Sequence, residues 1–532
     1  MTPIPDEVLL PPKFTIRLLE ATSGQNQLGN YPSTVQGNSA HELPSSIDIN
    51  NHSANSDTKD AMMKYIPPQA EHEPGLCPQI RDHLEDEFDP SDSKLPPKAW
   101  IPIPEAFRVQ LIENKRVTPE DHWQDVRLLT IHMEKENEYW PGDTITVFPK
   151  NFPEDVQTLI NLMDWQAVAD IPLKFEATSP DFFADPHFVT LPTGIYPVKN
   201  CTLRDLLIHN LDITAIPKPF FFQYISHFTS DPTHKERLLE FSNSAYRDEY
   251  YDYATRPRRS ILEVLADFPT VKLPFQHAPS LFPVIRGRDF SICSGGLGSQ
   301  VPRSTRTSKD EPDRLHKVQL LVAIVKYQTV LKKIRQGLCS RYIASLQPDT
   351  LLNIKLNNNV GFYRTPCQQP ELPVVMIAAG TGVAPCRSLV WERAKVTAER
   401  GPHDDSPKVG ENVLIYGGRN KTKDFFFKDE WASTALQTQV FTAFSRDQRQ
   451  KIYVQDVIRK QGQKLAQLVL EQQALVYVCG SSGNMPKAVR ESLLDVIIEY
   501  GGDGLGKEVT REFAEKFLGE MEKKGHYIQE TW

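Results

Sequence analysis

From about residue 370 to the C-terminus, short apolar runs alternate with longer stretches of helical spacing. The runs are Val374–Ala378, Val413–Tyr416, Gln439–Phe444 and Leu475–Cys479. A strand apolar on both faces must be covered on both, and a helix after each strand supplies that cover. The pattern therefore predicts a doubly wound parallel α/β sheet over 369–532. It also limits where a ligand can sit, because such sheets bind beyond the carboxyl ends of their strands.

Two stretches occupy such ends. Gly380-Thr381-Gly382-Val383-Ala384-Pro385 follows the first run and opens a helix. Glycines let a backbone approach a ligand, a helix start offers unpaired N–H groups to an anion, and Pro385 suits a first helical turn. On spacing alone, an ordinary Gly-rich turn explains it equally well. Ser445-Arg446 follows Ala443-Phe444, with Lys451-Ile452-Tyr453-Val454-Gln455 just beyond. A hydroxyl, a guanidinium and an ammonium together suit a dianion such as an adenosine 2′-phosphate. A solvated charged loop is the other reading.

Upstream, Lys13–Leu18 and Val126–Ile131 read as strands, and Pro141-Gly142-Asp143 reads as a turn into Thr144–Phe148. Between 155 and 270 helices dominate. Thr202…Asp205 and Ser260…Glu263 each set a hydroxyl three residues before a carboxylate, a helix-start signature. Strands return at 282–294 and 318–327, so the predicted architecture is an antiparallel β-barrel interrupted by a helical insert. Two motifs fall in its second half. In Arg288-Asp289-Phe290-Ser291, an aromatic ring, a hydroxyl and a guanidinium suit a flat ring and a pyrophosphate. Gly337-Leu338-Cys339-Ser340 opens a helix toward a phosphate. A core Phe and a plain helix cap are the alternatives. Cys479 reads as a small buried hydrophobe, and Trp532, the last residue, as a frayed end.

Composition excludes several classes. The net charge of −8 over 532 residues is no general nucleic-acid signature. No apolar run approaches the ~18–20 residues that span a bilayer, and MTPIPDEVLL lacks the basic start and apolar core of a secretory signal. Seven sparse cysteines without a C-x-x-C pair argue against a disulfide framework and a structural zinc site, and no metal ligand set is expected. A cytoplasmic protein is the expectation. Fifteen of the 42 prolines lie in the first 104 residues. Residues 21–66 are rich in Ser, Asn, Gln and Gly, and 81–92 form an acidic run, so 21–104 is expected to be a disordered insert.

Four motifs in this order resemble the ferredoxin–NADP reductase superfamily. The helical insert narrows the resemblance to the diflavin reductases, such as cytochrome P450 reductase. Within them the chain is most similar to the NADPH-dependent diflavin oxidoreductases of cytosolic iron–sulfur assembly (Tah-eighteen-like). Arg256–Leu265, Pro283–Arg286, Arg335–Ser340, Ala443–Arg446, Lys451–Gln455 and Glu530-Thr531-Trp532 carry it. The resemblance implies a division into 1–20 (first barrel strand and N-terminal remnant), the insert 21–104, 105–150 (barrel, first part), 151–275 (helical connecting subdomain), 276–368 (barrel, second part) and 369–532 (NADP-binding domain). It implies that Arg258, Arg288, Asp289, Phe290, Ser291, Gly337, Leu338, Cys339 and Ser340 hold FAD. Gly380, Thr381, Gly382, Ser445, Arg446, Lys451, Ile452, Tyr453, Val454 and Gln455 would hold NADPH. Ser291 and Cys479 would flank the hydride path, and Trp532 would stack over the flavin and swing aside for nicotinamide. Electrons would pass to an FMN domain, a separate flavodoxin-like acceptor or an iron–sulfur protein of the anamorsin type. Mitochondrial association is compatible with that role.

Two departures from the family pattern carry expectations of their own. Too few residues precede the first strand to hold the family's FMN-binding flavodoxin-like domain, so that domain is expected to be absent. Relatives commonly carry Asp three residues after the methionine here numbered Met485, whereas this chain has Ala488. Slower hydride transfer is the expected result. A non-catalytic or regulatory FAD-binding remnant, a single-flavin reductase for a small acceptor and a truncated reading frame are the competing readings.

Overall fold

The computed structural model of the chain describes residues 14–19, 95–96, 101–134, 136–177, 191, 193–299, 315–359, 365–400, 408–505 and 509–532. Apart from 95–96 and 101–104, the segment 21–104 expected to be disordered lies outside the described residues. The strands of the first half are β1 (Phe14–Leu18), β2 (Phe107–Arg116), β3 (Val126–Glu134), β4 (Thr144–Val147) and β5 (Leu173–Ala177). After them come β6 (Arg288–Ser291), β7 (Leu315–Ala323), β8 (Lys326–Gln328), β9 (Ile334–Gln336) and β10 (Leu351–Asn357). The last five are β11 (Val374–Ala379), β12 (Asn412–Gly418), β13 (Thr438–Phe444), β14 (Leu475–Gly480) and β15 (Tyr527–Thr531).

Six strands form an antiparallel sheet in the order β6-β4-β10-β2-β3-β7. Its two outer strands meet: Ile292 bridges Leu320, and the Cys293 N–H donates to Gln319 O at 2.8 Å. Closure removes the open edges that would otherwise pair with other chains. Val109, Leu111, Leu129, Ile131, Ile145, Val147, Val318, Leu320 and Ile354 fill the interior. Gly287 permits the approach of β6 to β4, because a Cβ there would lie 2.2 Å from Thr146 Cγ2. Gly287→Ala is expected to destabilise the protein by about 1–3 kcal/mol, the usual cost of overpacking. A thermal melt that does not shift would refute that account.

Between β4 and β6 the chain leaves the barrel to build a helical subdomain. Both predicted helix starts are reciprocal capping boxes. Asp205 N donates to Thr202 Oγ1 (3.1 Å) and Thr202 N to Asp205 Oδ2 (2.9 Å), and Ser260 and Glu263 repeat the pattern at 3.3 and 2.9 Å. β1 corrects one expectation. It is not a barrel strand but pairs antiparallel with β5, with Ile16 opposite Phe175, and Ile16 is buried in the core of the helical subdomain. Period-two alternation says which face of a strand is apolar, but not which edge will accept it.

The last five strands form an all-parallel sheet in the order β13-β12-β11-β14-β15. β11 is central, so the order reverses between β11 and β14, and a crevice opens there. Arg387, on the helix Val383–Glu399, locks this sheet to the barrel. It is 4% exposed, donates to Cys293 O (2.7 Å) and Gln319 Oε1 (3.1 Å), and pairs with Glu430 at 2.7 and 2.8 Å. Ser388 Oγ donates to Ser294 O at 2.6 Å alongside. Among the described residues no helix is long and apolar enough to cross a membrane, and no group of three or more His, Cys, Asp or Glu side chains is placed to hold a metal ion.

Candidate functional site

The strand pairing of β6 places three of its side chains. Arg288, Phe290 and Ser291 stand opposite Val147, Ile145 and Thr144 of β4. Phe290 packs against the barrel core, while Arg288 is exposed and donates to Arg286 O and Gly287 O at 3.0 Å. Asp289 is a brace between strands, accepting from Thr146 Oγ1 at 2.5 Å. The helix Leu338–Ser345 begins beside this strand. Burial pushes the Cys339 thiol up to about 12, and the positive charge of Arg288 opposes the shift, so the two groups are neighbours. Gly337 is the N-cap and supplies no capping side chain, leaving the first N–H groups of the helix for a ligand. Leu338 is half-buried. Ser340 Oγ accepts from Val325 N at 2.9 Å, which makes it a support for the preceding hairpin β8–β9.

The backbone next to Arg258 is tied to the segment before this helix by Arg335. Arg335 donates to Pro257 O (3.1 Å) and pairs with Glu263 (2.6 Å), two residues before Gly337. Arg258 itself is exposed with φ +55, a left-handed conformation uncommon for a bulky residue. Burial tends to raise the Glu263 carboxyl, but Arg335, Lys333 and the Ser260 N–H outweigh it and lower it from 4.5 to about 2. A depressed carboxylate stabilises the fold above its unfolded pKa, and that stabilisation is lost as pH falls through the folded one. The protein should therefore lose stability between about pH 4.5 and 2, and Glu263→Gln should flatten that part of the acid-unfolding profile. Superimposable profiles would refute it.

On the α/β side, a cleft of about 570 Å³ lies over the carboxyl ends of β11, β12 and β13. Gly380, Tyr453, Val454 and Gln455 line it. Gly380 has φ +57, and a Cβ there would meet nothing within 4 Å, so the space before its backbone is open. Thr381 is half-buried beside it. Gly382 is structural, since a Cβ would lie 2.3 Å from Cys479 O. Ser445 is held by its N–H to Gly418 O (3.0 Å), and Arg446 by its N–H to Arg419 O (2.8 Å). Arg446, Lys451 and Ile452 are exposed and are not among the residues that line the cleft.

Sequence reasoning missed Arg419, whose guanidinium lies 3.5 Å over the Trp123 ring; both line the cleft. The signal was available, because Arg419 follows the apolar run of β12 at its carboxyl end.

A further hydrogen bond joins the two lobes. Ser291 Oγ on β6 donates to Glu530 Oε1 on β15 at 2.5 Å. Glu530 stands opposite Cys479 in the β14–β15 register. Cys479 is fully buried, and its hydrogen bond with Cys386, together with burial, pushes the Cys386 thiol well above its ordinary range. Trp532 is no frayed end: its N–H donates to Gly480 O (3.1 Å) and its carboxylate oxygen accepts from Ser482 N (3.0 Å), while the residue is 53% exposed. Ala488 lines the cleft over the ends of β11, β12 and β13. A carboxylate does reach Ser291, and it comes from Glu530.

Residues 103–342 match the FAD binding domain family and 376–491 the oxidoreductase NAD-binding domain family. Three similar proteins are each described as NADPH-dependent diflavin oxidoreductase 1. That of Emericella nidulans is 42% identical over 540 residues, covering 100% of this chain and 72% of its own length. The chain belongs to the NADPH-dependent diflavin oxidoreductases. The diflavin oxidoreductase of Aspergillus fumigatus is 48% identical over 439 residues, 81% of this chain and 64% of its own. That of Schizosaccharomyces pombe is 36% identical over 427 residues, 79% of this chain and 65% of its own. The chain thus spans about two thirds of the length of these diflavin oxidoreductases, and it carries the two nucleotide-binding domains of an NADPH oxidoreductase.

Proposed function

We propose that this chain transfers hydride from NADPH to FAD and passes the electrons singly to an acceptor. The Ser291–Glu530 contact carries the reading, because it joins the flavin lobe to the nucleotide lobe beside Cys479. The residues fit both groups. The uncapped start of Leu338–Ser345, with Arg288 and Arg258, suits a pyrophosphate. The open space before Gly380 suits close approach of a nucleotide. Bound FAD would supply what side chains lack, taking two electrons as hydride and releasing them one at a time.

The chain's own residues bind and orient. Phe290 offers a ring face from the barrel, and the exposed Trp532 indole offers another from the end of β15. Ser445, Arg446, Lys451, Tyr453 and Gln455 select a 2′-phosphate. Arg446 and Lys451 have no carboxylate partner among the described residues, so an incoming dianion displaces none. Glu530 accepts the hydrogen bond of the Ser291 hydroxyl and fixes it at the lobe junction, beside which nicotinamide and flavin would be held.

The acceptor is an FMN domain or an iron–sulfur protein of the anamorsin type, in cytosolic iron–sulfur cluster assembly. This part of the proposal rests on the family resemblance. The purified protein should be yellow and should bleach anaerobically with NADPH. A colourless protein that FAD cannot reconstitute would overturn the reading, as would bound flavin that NADPH never reduces. Adding the iron–sulfur partner or a flavodoxin to the reduced protein, and following reoxidation, tests the acceptor.

A further inference from the structure

The segment Arg419–Lys428, which follows β12, has two sides. Arg419 and Asp424 line the nucleotide cleft. Lys421, Phe425 and Phe427 line a second cleft of about 590 Å³, closed on its other side by Lys115 of β2 and Leu128 of β3. Five cationic side chains border this cleft and no acidic one does. Two of them are neutralised nearby, Arg116 by Glu120 at 2.7 Å and Lys423 by Asp121. The other three, Lys115, Lys421 and Lys428, are exposed and have no carboxylate partner among the described residues. Ammonium groups gathered round one cavity repel each other, and a bound anion relieves that repulsion.

The walls between the lysines are apolar. Phe427 holds φ +58, a costly backbone state for a bulky aromatic, of the kind that collects at ligand sites. The cleft is concave and of small-molecule size. Its lining suits a ligand with several negative charges on a flat apolar body.

We propose that this cleft is a second anion site, which takes an organic polyphosphate, and that its occupancy is felt in the nucleotide cleft through the shared segment. The link between the two sides is Asp424. Its carboxylate accepts from Arg419 N (2.9 Å) and Asn420 N (2.7 Å), tying the stretch that carries Lys421 to the one that carries Arg419.

The test is calorimetric titration of the whole chain with ATP in saturating NADP⁺, so that the nucleotide cleft is filled. ATP should still bind, with Kd below about 1 mM. K421A/K428A should weaken it about tenfold or more, the scale of one lost charge-assisted hydrogen bond. R446A should leave ATP binding unchanged. Loss of ATP binding once NADP⁺ saturates would overturn the proposal, as would K421A/K428A binding like the parent. Tighter binding of a Glu-rich peptide than of ATP would overturn the small-molecule assignment in favour of a protein partner. Failure of NADP⁺ itself to bind would count against the proposed function instead. The second site would then be judged by ATP alone, with K421A/K428A against R446A.

Discussion

Ser291→Ala is expected to slow anaerobic bleaching of the bound flavin by NADPH about 100-fold, with flavin content unchanged. Misplacing reacting groups by about 1 Å costs a factor of that order. The hydroxyl is held by one bond, to Glu530 at 2.5 Å. Glu530→Ala removes the other end of that bond and should cost a similar factor. Groups that act through one contact are not additive, so the double variant should be little slower than the slower single variant. NADPH deuterated at the transferred position should show a larger isotope effect in both variants, because the hydride step then limits the rate. Additive losses in stopped-flow traces would mean that the two groups act separately. Unchanged rates would remove the lobe junction from the hydride path.

Arg446→Ala is expected to weaken NADPH by about 1.5–3 kcal/mol, the range for a hydrogen bond to a charged group. That is roughly a 10- to 150-fold rise in Kd. NADH, which lacks the 2′-phosphate, should bind the variant as it binds the parent. The backbone of Arg446 is already fixed by Arg419 O at 2.8 Å, so loss of the side chain should not disturb the loop. An equal loss for both nucleotides would refute the assignment. Raising the salt concentration should narrow the gap between parent and variant, since an exposed ion pair is screened.

These two sites differ in how far the sequence alone reveals them. The residues proposed to hold the 2′-phosphate lie within eleven positions, Ser445 to Gln455, directly after an apolar run. A local stretch at a strand end is legible because strand, turn and loop are all short-range features. The same holds for the two capping boxes, each confined to four residues. Glu530 lies in the ending Glu530-Thr531-Trp532, where the local pattern gives it no role. Its partner lies 239 residues away, and nothing in the local pattern links them. Glu530 arrives on β15, whose place beside the barrel no local spacing specifies. That strand, Tyr527–Thr531, carries only two buried residues, so it made no apolar run.

What the sequence determined by itself is the parallel sheet, the helix starts and the stretches at the strand ends that are proposed to hold phosphate, since periodicity and capping are properties of a few consecutive residues. Only the tertiary structure decided that β1 joins the helical subdomain, that Glu530 meets Ser291, and that three lysines from β2 and the 419–428 segment surround one cleft. Each of these depends on which distant surfaces pack together, and that is settled by the whole core, not by any window of sequence.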